Sequence, residues 1–338
     1  MNIIVRMPNW IGDLVMATPV LTDLRKKFPN SSITAMCKRP LCELLERDQA
    51  IDELFCFEKN DSKFSRRQER RDIIGKIEAG NYDVGLLLTN SFSSAWWFWQ
   101  GQVKRRIGYA KNLRSALLTD SLPMLKNEEH QVISYKRLLK PLGIEVSKTS
   151  PRLFIDASEI EEAKKLLYKA GYKKGSPLIG INPGASYGSA KCWPPDRFRK
   201  LAEKLLENKD AFIVFFGDRS TLGLVKDIVQ GLDSRVMNLA AATTLRELAA
   251  LIQECTCLVT NDSGPMHIGA AFNVPLIALF GSTDDRATGP YGQENGVIHK
   301  RVACSPCFKR ECPIDFRCMT QIQVDEVVER VKKHVQDL

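Results

Sequence analysis

The chain alternates short apolar runs with stretches of helical periodicity, and it does so twice along its 338 residues. The apolar runs of the first half are 3–5, 32–37 and 83–88, and those of the second are 178–182, 211–216, 257–260 and 274–280. Such alternation is typical of βαβ units that build a parallel sheet. The sequence therefore predicts an α/β protein with two Rossmann-like domains whose strand ends face a cleft.

The length supports two domains, because a single hydrophobic core rarely grows beyond about 250–300 residues. A helical pattern over 157–170 ends at Gly171, a common helix stop, and marks the junction. We expect a first domain over residues 1–170 and a second over 171–322. An amphipathic C-terminal helix within 323–338 has room to cross back over the first domain.

The formal net charge of +9 is concentrated in the first half. Residues 1–170 hold 28 of the 49 Lys and Arg residues but 21 of the 40 Asp and Glu residues. The basic residues form two clusters, namely Lys63, Arg66, Arg67, Arg70, Arg71 and then Lys104, Arg105, Arg106. This half is therefore predicted to meet an anionic partner.

Between the basic clusters lies the aromatic run Trp96, Trp97, Phe98 and Trp99. Indoles beside cations suit a membrane interface, because one part of the ring is apolar and the other stays wet. Aromatic side chains between basic clusters can equally stack nucleobases. The third interpretation is a core helix with a solvated basic flank.

One acidic residue, Asp13, follows the first predicted strand at a strand-to-helix corner. In open parallel sheets, ligands bind outside the carboxyl ends of the strands, where such corners lie. A carboxylate there can take a proton from a hydroxyl group within hydrogen-bonding reach. The structural alternative is that Asp13 caps the helix through backbone N–H groups.

Two further segments in the second half follow predicted strands and carry small or polar residues. In the first, a small-residue loop over 182–186 precedes Lys191, so backbone amides and a full positive charge can approach an anion such as a diphosphate. In the second, Asp262 and Ser263 precede Pro265, which suits the first turn of a helix whose amides attract phosphate. His267, one turn into that helix, faces either the anion or the core.

The ten cysteines occur in a chain without a membrane-spanning or signal-peptide pattern, which predicts a cytosolic protein with reduced thiols. The densest group is Cys304, Cys307, Cys312 and Cys318. Four thiolates suffice for tetrahedral zinc, but this spacing is not the usual pair of C-x-x-C knuckles. Three interpretations of these four cysteines stay open: a structural metal site, packed reduced thiols, or disulfides.

Taken together, these motifs resemble the heptosyltransferases of the lipopolysaccharide inner core, glycosyltransferase family 9. The residues that carry the resemblance are 7–13, 106–109, 183–194, 261–267 and the late cysteines. The resemblance implies a glycosyltransferase B fold and an inverting enzyme that uses neither a cofactor nor a catalytic metal. It also implies transfer of heptose from ADP-L-glycero-D-manno-heptose to heptosyl-Kdo2-lipid A.

Carried over residue by residue, the resemblance implies that Asp13 is the general base and that Lys191 stabilises the departing diphosphate. The implied donor-binding residues are Ser186, Asp262, Ser263, Gly264 and His267. Adenine and ribose are expected near 217–221 and 238–244. Phosphates of the acceptor are expected on Arg66, Arg67, Arg70 and Arg71.

The implied partners are ADP-heptose, an anionic glycolipid acceptor and the cytoplasmic face of the inner membrane, where a monomeric enzyme binds peripherally. Nucleic acid is not an expected partner. Two alternatives stay open at this point. The chain could be another nucleotide-sugar enzyme of the same fold, either a different glycosyltransferase or an epimerase, or it could bind nucleotides or RNA without catalysis.

Overall fold

A computed structural model gives the structure of residues 1–58, 63–124 and 129–335, without the side chains of residues 63–66. The chain divides into two compact units, Met1–Phe154 and Ile155–Leu338. Each unit is a parallel α/β domain, so the predicted pair of Rossmann-like domains is confirmed.

The first unit is built on a six-stranded sheet in which all neighbouring strands are parallel. Its strands are β1 (Asn2–Arg6), β2 (Ser32–Lys38), β3 (Glu53–Phe57), β4 (Val84–Leu87), β5 (Arg105–Tyr109) and β6 (Asp120–Leu122). They lie in the order β3-β2-β1-β4-β5-β6, so the winding reverses between β1 and β4. Ile3, Ile4 and Val5 are fully buried, as expected for a parallel strand covered on both faces.

In the described ranges of this unit, four α-helices pack around the sheet. They are α1 (Ile11–Lys27), α2 (Lys63–Ala79), α3 (Phe92–Gln100) and α4 (Gln131–Arg137). The segment that follows α4 is tied to α1 by Asp23, which accepts hydrogen bonds from Ser147 at 2.7 Å and Thr149 at 2.8 Å. Lys136 of α4 donates to the Ser147 carbonyl at 3.0 Å, which fixes α4 relative to the same segment.

The aromatic helix α3 has one buried and one exposed face. Phe98 is fully buried, and Trp97 packs edge-on against Phe57 with 5.7 Å between the ring centroids. On the other face Phe92 is 46% exposed and Trp99 is 42% exposed. Burial in the core therefore explains the apolar side chains on one face of α3 but not those on its exposed face.

The cations of the second basic cluster, Lys104, Arg105 and Arg106, form ion pairs and hydrogen bonds within the first unit. In the second cluster, Lys104 pairs with Asp83 at 2.8 Å and Arg105 pairs with Asp120 at 2.7 Å. Arg106 donates to the backbone carbonyl of Leu117 at 2.7 Å. All three cations bond groups of the first unit itself, which weakens the case for a ligand at this cluster.

A disulfide joins Cys42, in the 3-10 helix Leu41–Leu45, to Cys56 on β3. The prediction of reduced thiols is wrong for this pair. Since β2 and β3 are parallel neighbours, the short helix that leaves β2 lies beside β3 and brings the two Cα atoms to 6.0 Å.

The second unit repeats the architecture of the first. Its strands are β7 (Leu178–Asn182), β8 (Phe212–Phe215), β9 (Val236–Asn238), β10 (Cys257–Asn261), β11 (Leu276–Phe280) and β12 (Val297–His299). Its helices are α5 (Ala157–Lys169), α6 (Pro195–Leu205), α7 (Leu222–Val229), α8 (Leu245–Gln253), α9 (Gly264–Ala271), α10 (Asp285–Thr288), α11 (Arg317–Thr320) and α12 (Val324–Lys332). The order β12-β11-β10-β7-β8-β9 places its winding reversal between β7 and β10.

Helix α5 belongs to the second unit, which therefore begins before the expected boundary at residue 171. The guanidinium of Arg246 on α8 donates to Glu159 on α5, with 2.6 Å between Nη2 and Oε2, and Lys164 pairs with Glu254 at 3.2 Å. At the other end of the unit, α12 packs on α6 and buries Val331 in the second core. None of the helices in the described ranges combines the length and apolar character that crossing a bilayer requires.

Candidate active site

Asp13 lies in the first turn of α1, directly after the carboxyl end of β1 and beside the winding reversal of the first sheet. The N-cap of α1 is Trp10, so Asp13 is not the capping residue that the structural alternative requires. Its Oδ1 atom accepts a hydrogen bond of 2.8 Å from the hydroxyl of Tyr135 on α4. The carboxylate is therefore held in a fixed orientation at the ligand-binding edge of the sheet.

Tyr135 is a residue of this site that the sequence analysis missed. Its side chain is buried, and burial together with the adjacent Asp13 carboxylate raises its pKa well above the ordinary value. It consequently remains a protonated donor throughout the physiological pH range. Asp13 and Tyr135 are 122 positions apart, and no local pattern indicates that they meet.

In the second unit, Lys191 and Asp262 form an ion pair between the Nζ and Oδ2 atoms. Their side chains are 12% and 5% exposed, respectively. The hydroxyl of Thr283, which follows β11, donates to the same Asp262 oxygen at 2.5 Å. Three loops that follow neighbouring strands thus converge on one carboxylate, and they place an ammonium group beside it.

Two buried asparagines hold these loops in place. Asn182, the last residue of β7, donates from its side chain to Ser263 Oγ at 3.0 Å and to the Gly184 carbonyl at 3.0 Å. Asn261, the last residue of β10, donates to the Pro183 carbonyl at 2.7 Å. Because both amides are buried and bonded across the winding reversal, the loop that carries Lys191 is rigidly tied to the turn that carries Asp262.

Helix α9 begins at Gly264 with Ser263 as its N-cap, and Pro265 lies in its first turn, as predicted. The start of a helix carries a partial positive charge and backbone N–H groups that favour phosphate. His267 is 5% exposed and lies on the same helix. Asp262, Ser263 and Gly264 therefore lie together with Lys191, whereas Ser186 is an exposed residue of the preceding loop.

The cysteine segment over 304–318 borders the Lys191 loop. The Tyr187 hydroxyl donates to the Phe308 carbonyl at 2.7 Å, and the Ala190 amide donates to the Arg310 carbonyl at 2.9 Å. The ring of Tyr187 lies 4.8 Å below the Lys191 ammonium. The backbone of this segment thus forms one wall of the site.

The four cysteines themselves range from exposed Cys304 to buried Cys318. Burial and the neighbouring thiols raise the pKa of Cys318. In the described ranges, no three Cys, His, Asp or Glu side chains are grouped so that they could hold a metal ion. None of the four forms a disulfide, which favours packed thiols among the three interpretations.

The predicted acceptor residues lie on α2 of the first unit. Arg67, Arg70 and Arg71 are exposed, whereas the side chain of Arg66 lies outside the described part of the structure. Near the predicted nucleoside segments, Asp218 accepts hydrogen bonds from the Ser220 and Thr221 amides at 2.9 and 3.1 Å, which shapes a tight turn after β8. The structure contains no contact that assigns adenine or ribose to particular residues of this turn.

The two units therefore supply groups for two different chemical roles. The first unit presents an oriented carboxylate, which can accept a proton. The second presents an ammonium group, a carboxylate and a helix N-terminus within one rigid cluster, which suits a phosphorylated sugar with hydroxyl and anionic groups.

Comparisons with known proteins agree with this chemistry. Residues 70–316 match the model of glycosyltransferase family 9 (heptosyltransferase). The chain is 32% identical to a lipooligosaccharide heptosyltransferase 2 of Haemophilus influenzae, with 88% of each chain covered. It is 29% identical to the Campylobacter jejuni protein of the same name, over 98% of this chain and 99% of that protein.

The structural comparison covers almost the whole chain. The structure of Escherichia coli ADP-heptose lps heptosyltransferase II superposes with a TM-score of 0.84 at 26% identity, covering 99% of this chain and 98% of that one. This similarity and the two six-stranded parallel sheets confirm the predicted glycosyltransferase B fold.

Proposed function

Because the chain belongs to glycosyltransferase family 9, the heptosyltransferases, we propose that it transfers heptose from ADP-L-glycero-D-manno-heptose to heptosyl-Kdo2-lipid A, with inversion at the anomeric carbon. The structural observation that carries this proposal is the cluster of Lys191, Asp262 and the start of α9. It joins an anion-binding element to a carboxylate that can accept hydrogen bonds from sugar hydroxyls. The relatives named above, which match along nearly the whole chain, support heptose as the transferred sugar.

In this mechanism the second unit acts on the leaving group. As the bond between the anomeric carbon and the diphosphate breaks, the electron pair leaves with ADP and negative charge grows on the phosphate oxygens. The Lys191 ammonium and the α9 amides stabilise that charge without rearrangement, because the asparagine contacts and Asp262 already hold them in place. Asp262, Ser263, Gly264 and His267 bind the donor, and Ser186 reaches its phosphates from the exposed loop.

The first unit acts on the nucleophile. An acceptor heptose hydroxyl attacks the anomeric carbon from the face opposite ADP, and its proton passes to Asp13 as the new glycosidic bond forms. Tyr135 orients the Asp13 carboxylate by donating to Oδ1. No step in this scheme uses a metal ion or a cofactor.

The acceptor is an anionic lipid, and exposed cations of the first unit match it. We assign its phosphates to the α2 arginines at 66, 67, 70 and 71, and we place the enzyme at the cytoplasmic face of the inner membrane as a peripheral monomer. Stacking of RNA bases would suit the same positive charge, but it leaves the Asp13–Tyr135 and Lys191–Asp262 pairs without a role.

The test is transfer from ADP-heptose to a monoheptosylated, Kdo-bearing lipid A acceptor, with and without EDTA. We expect one heptose to be added, at a rate that EDTA does not change. A folded protein that binds ADP but transfers no heptose would contradict the proposed acceptor. Preference for UDP over ADP, or release of free sugar without acceptor, would indicate another nucleotide-sugar enzyme of this fold.

The acceptor assignment has its own test, the charge reversal Arg70→Glu with Arg71→Glu. Both side chains are exposed, so we expect normal folding, normal ADP affinity and a KM for the lipid acceptor raised about tenfold or more, because each cation near an anionic lipid surface contributes about 1 kcal/mol. Steady-state kinetics with the acceptor varied would measure this change. An unchanged acceptor KM would remove these arginines from the acceptor site.

A further inference from the structure

The carboxyl edge of the first sheet carries a row of exposed apolar side chains. They are Trp10 (54% exposed), Phe92 (46%), Leu113 (94%) and Met124 (42%), and each follows a different strand, β1, β4, β5 or β6. These strands are consecutive neighbours and all parallel. With adjacent strands about 5 Å apart, the four strands span about 15 Å along the edge where Asp13 lies. The four residues that follow them are here named the apolar rim.

Exposed cations accompany the apolar rim. The segments 7–10, 88–91, 110–114 and 123–124, which follow the four strands, contain no acidic residue. Arg114 in these segments is buried and donates to the Tyr109 carbonyl, so Lys111 is the cation they expose. Lys111 is exposed, and so is Arg39, which follows the neighbouring strand β2. Apolar and aromatic side chains interspersed with cations are the composition that favours an anionic membrane interface.

Two members of the apolar rim conflict with their local backbone. Trp10 occupies the N-cap of α1, where Ser, Thr, Asp or Asn would bond a helix amide, and it makes no such side-chain bond. Leu113 has a left-handed backbone with φ of 58°, a conformation that favours Gly and Asn. Neither side chain gains compensating burial in this chain, which favours a contact with something outside it.

We propose that the apolar rim docks on the surface of an anionic bilayer, with Trp10 and Leu113 inserted among the headgroups. This inference deepens the proposed function, on which it rests, by naming the surface through which the enzyme reaches a lipid-embedded acceptor. The exposed side of α3, where Phe92 stacks on Trp96 at 6.2 Å, extends the rim along the first unit. Asp13 lies beside the docking surface, where an acceptor sugar projecting from the bilayer would meet it.

Because Trp10 and Leu113 conflict with local backbone preference, replacing them can test membrane binding without destabilising the fold. Trp10→Ser supplies an N-cap and Leu113→Asn relieves the left-handed leucine, so the double variant should fold with an equal or higher Tm. Its partition onto phosphatidylcholine vesicles that contain phosphatidylglycerol should fall at least tenfold, since each lost side chain forfeits its apolar contact with the bilayer. Co-sedimentation measures the partition.

The matched control is Ile314→Asn, which removes a side chain that is 62% exposed in the second unit. It should partition like wild type, and wild type should bind anionic vesicles more tightly than neutral ones. Equal partition of the double variant and wild type would overturn the proposal. So would an equal loss in the control.

A measurement of heptosyl transfer distinguishes failure of this inference from failure of the proposed function. Leu113→Asn should transfer heptose to a deacylated, water-soluble acceptor at the wild-type rate, but more slowly to acceptor embedded in vesicles. If wild type binds vesicles through the apolar rim but transfers heptose to neither acceptor, the proposed function is contradicted and the docking surface is supported. Equal rates of Leu113→Asn and wild type on both acceptors would count against the rim.

Discussion

Replacing Asp13 with asparagine is expected to lower kcat for heptosyl transfer by about 10²- to 10⁴-fold, the usual contribution of a positioned general base. Asparagine keeps the size of the side chain and an oxygen that can accept from Tyr135, so the site should remain intact. ADP affinity should not change, because Asp13 lies in the first unit and the proposed diphosphate site in the second. Single-turnover kinetics with both substrates saturating would isolate the chemical step.

The chain offers a control on the same helix. Asp23→Asn alters a buried carboxylate of α1 that bonds Ser147 and Thr149, so it should lower the Tm while leaving kcat nearly unchanged. Tyr135→Phe should give an intermediate result, a loss of about tenfold, which corresponds to one hydrogen bond to a charged group. Since that bond stabilises the carboxylate form, its loss should also move the acid limb of the kcat–pH profile to higher pH.

A second tyrosine distinguishes orientation of the base from general packing. Tyr109 is also buried, but its hydroxyl donates to the Ser134 carbonyl and not to Asp13. Tyr109→Phe should therefore leave the pH profile unchanged. A shift of equal size in both variants, or an Asp13→Asn enzyme with full activity, would contradict the proposed role of Asp13 as the base.

Replacing Lys191 with methionine should lower kcat by about 10²- to 10³-fold, the typical effect of removing one preorganised group that stabilises developing negative charge. Methionine retains most of the aliphatic chain, which is largely buried, so the change removes the charge with little loss of packing. It also leaves the Asp262 carboxylate, beside the proposed diphosphate site, without its cation. A kcat that is unchanged while the KM for ADP-heptose rises would mean that Lys191 binds the ground state and transition state equally.

Lys164→Met is the matched control for this change. Lys164 also pairs with carboxylates in the second unit, Glu254 and Glu161, each at 3.2 Å, but it lies on α5. Partly exposed pairs of this kind contribute about 0–1 kcal/mol, so kcat should stay at the wild-type value. If both variants lost activity equally, a general effect of charge would explain the result better than a role at the leaving group.

Much of this fold follows from apolar patterning alone. Strand β7 matches its predicted run at 178–182, and α12 lies within the segment 323–338 predicted to form an amphipathic helix, because both bury regular apolar patterns. Strand β5 was not predicted, since it opens with Arg105 and Arg106. Those cations are stabilised by Asp120 on the neighbouring strand and by a backbone carbonyl, partners that local sequence does not specify.

Part of the candidate site could likewise be predicted from the sequence, whereas the rest depends on contacts between distant segments. Asp262 and Lys191 could be selected because each follows a strand in a short polar loop, where parallel sheets place their ligands. Their direct pairing and the hydroxyl of Thr283 depend on three loops that meet at the sheet edge, from positions 71 and 21 residues away from Asp262. Tyr135 is the extreme case, since its role arises wholly from the packing of α4 against α1.

The contact between Gly188 and the cysteine segment limits how this enzyme can be re-engineered. A Cβ atom at Gly188 would lie 2.3 Å from the Arg310 carbonyl oxygen, and that carbonyl also receives the Ala190 amide. Saturation libraries at Gly188 should therefore return glycine almost exclusively, whatever donor is selected for. Efforts to accept a different nucleotide sugar have more room at exposed positions such as Ser186, where a new side chain displaces solvent and leaves the backbone unchanged.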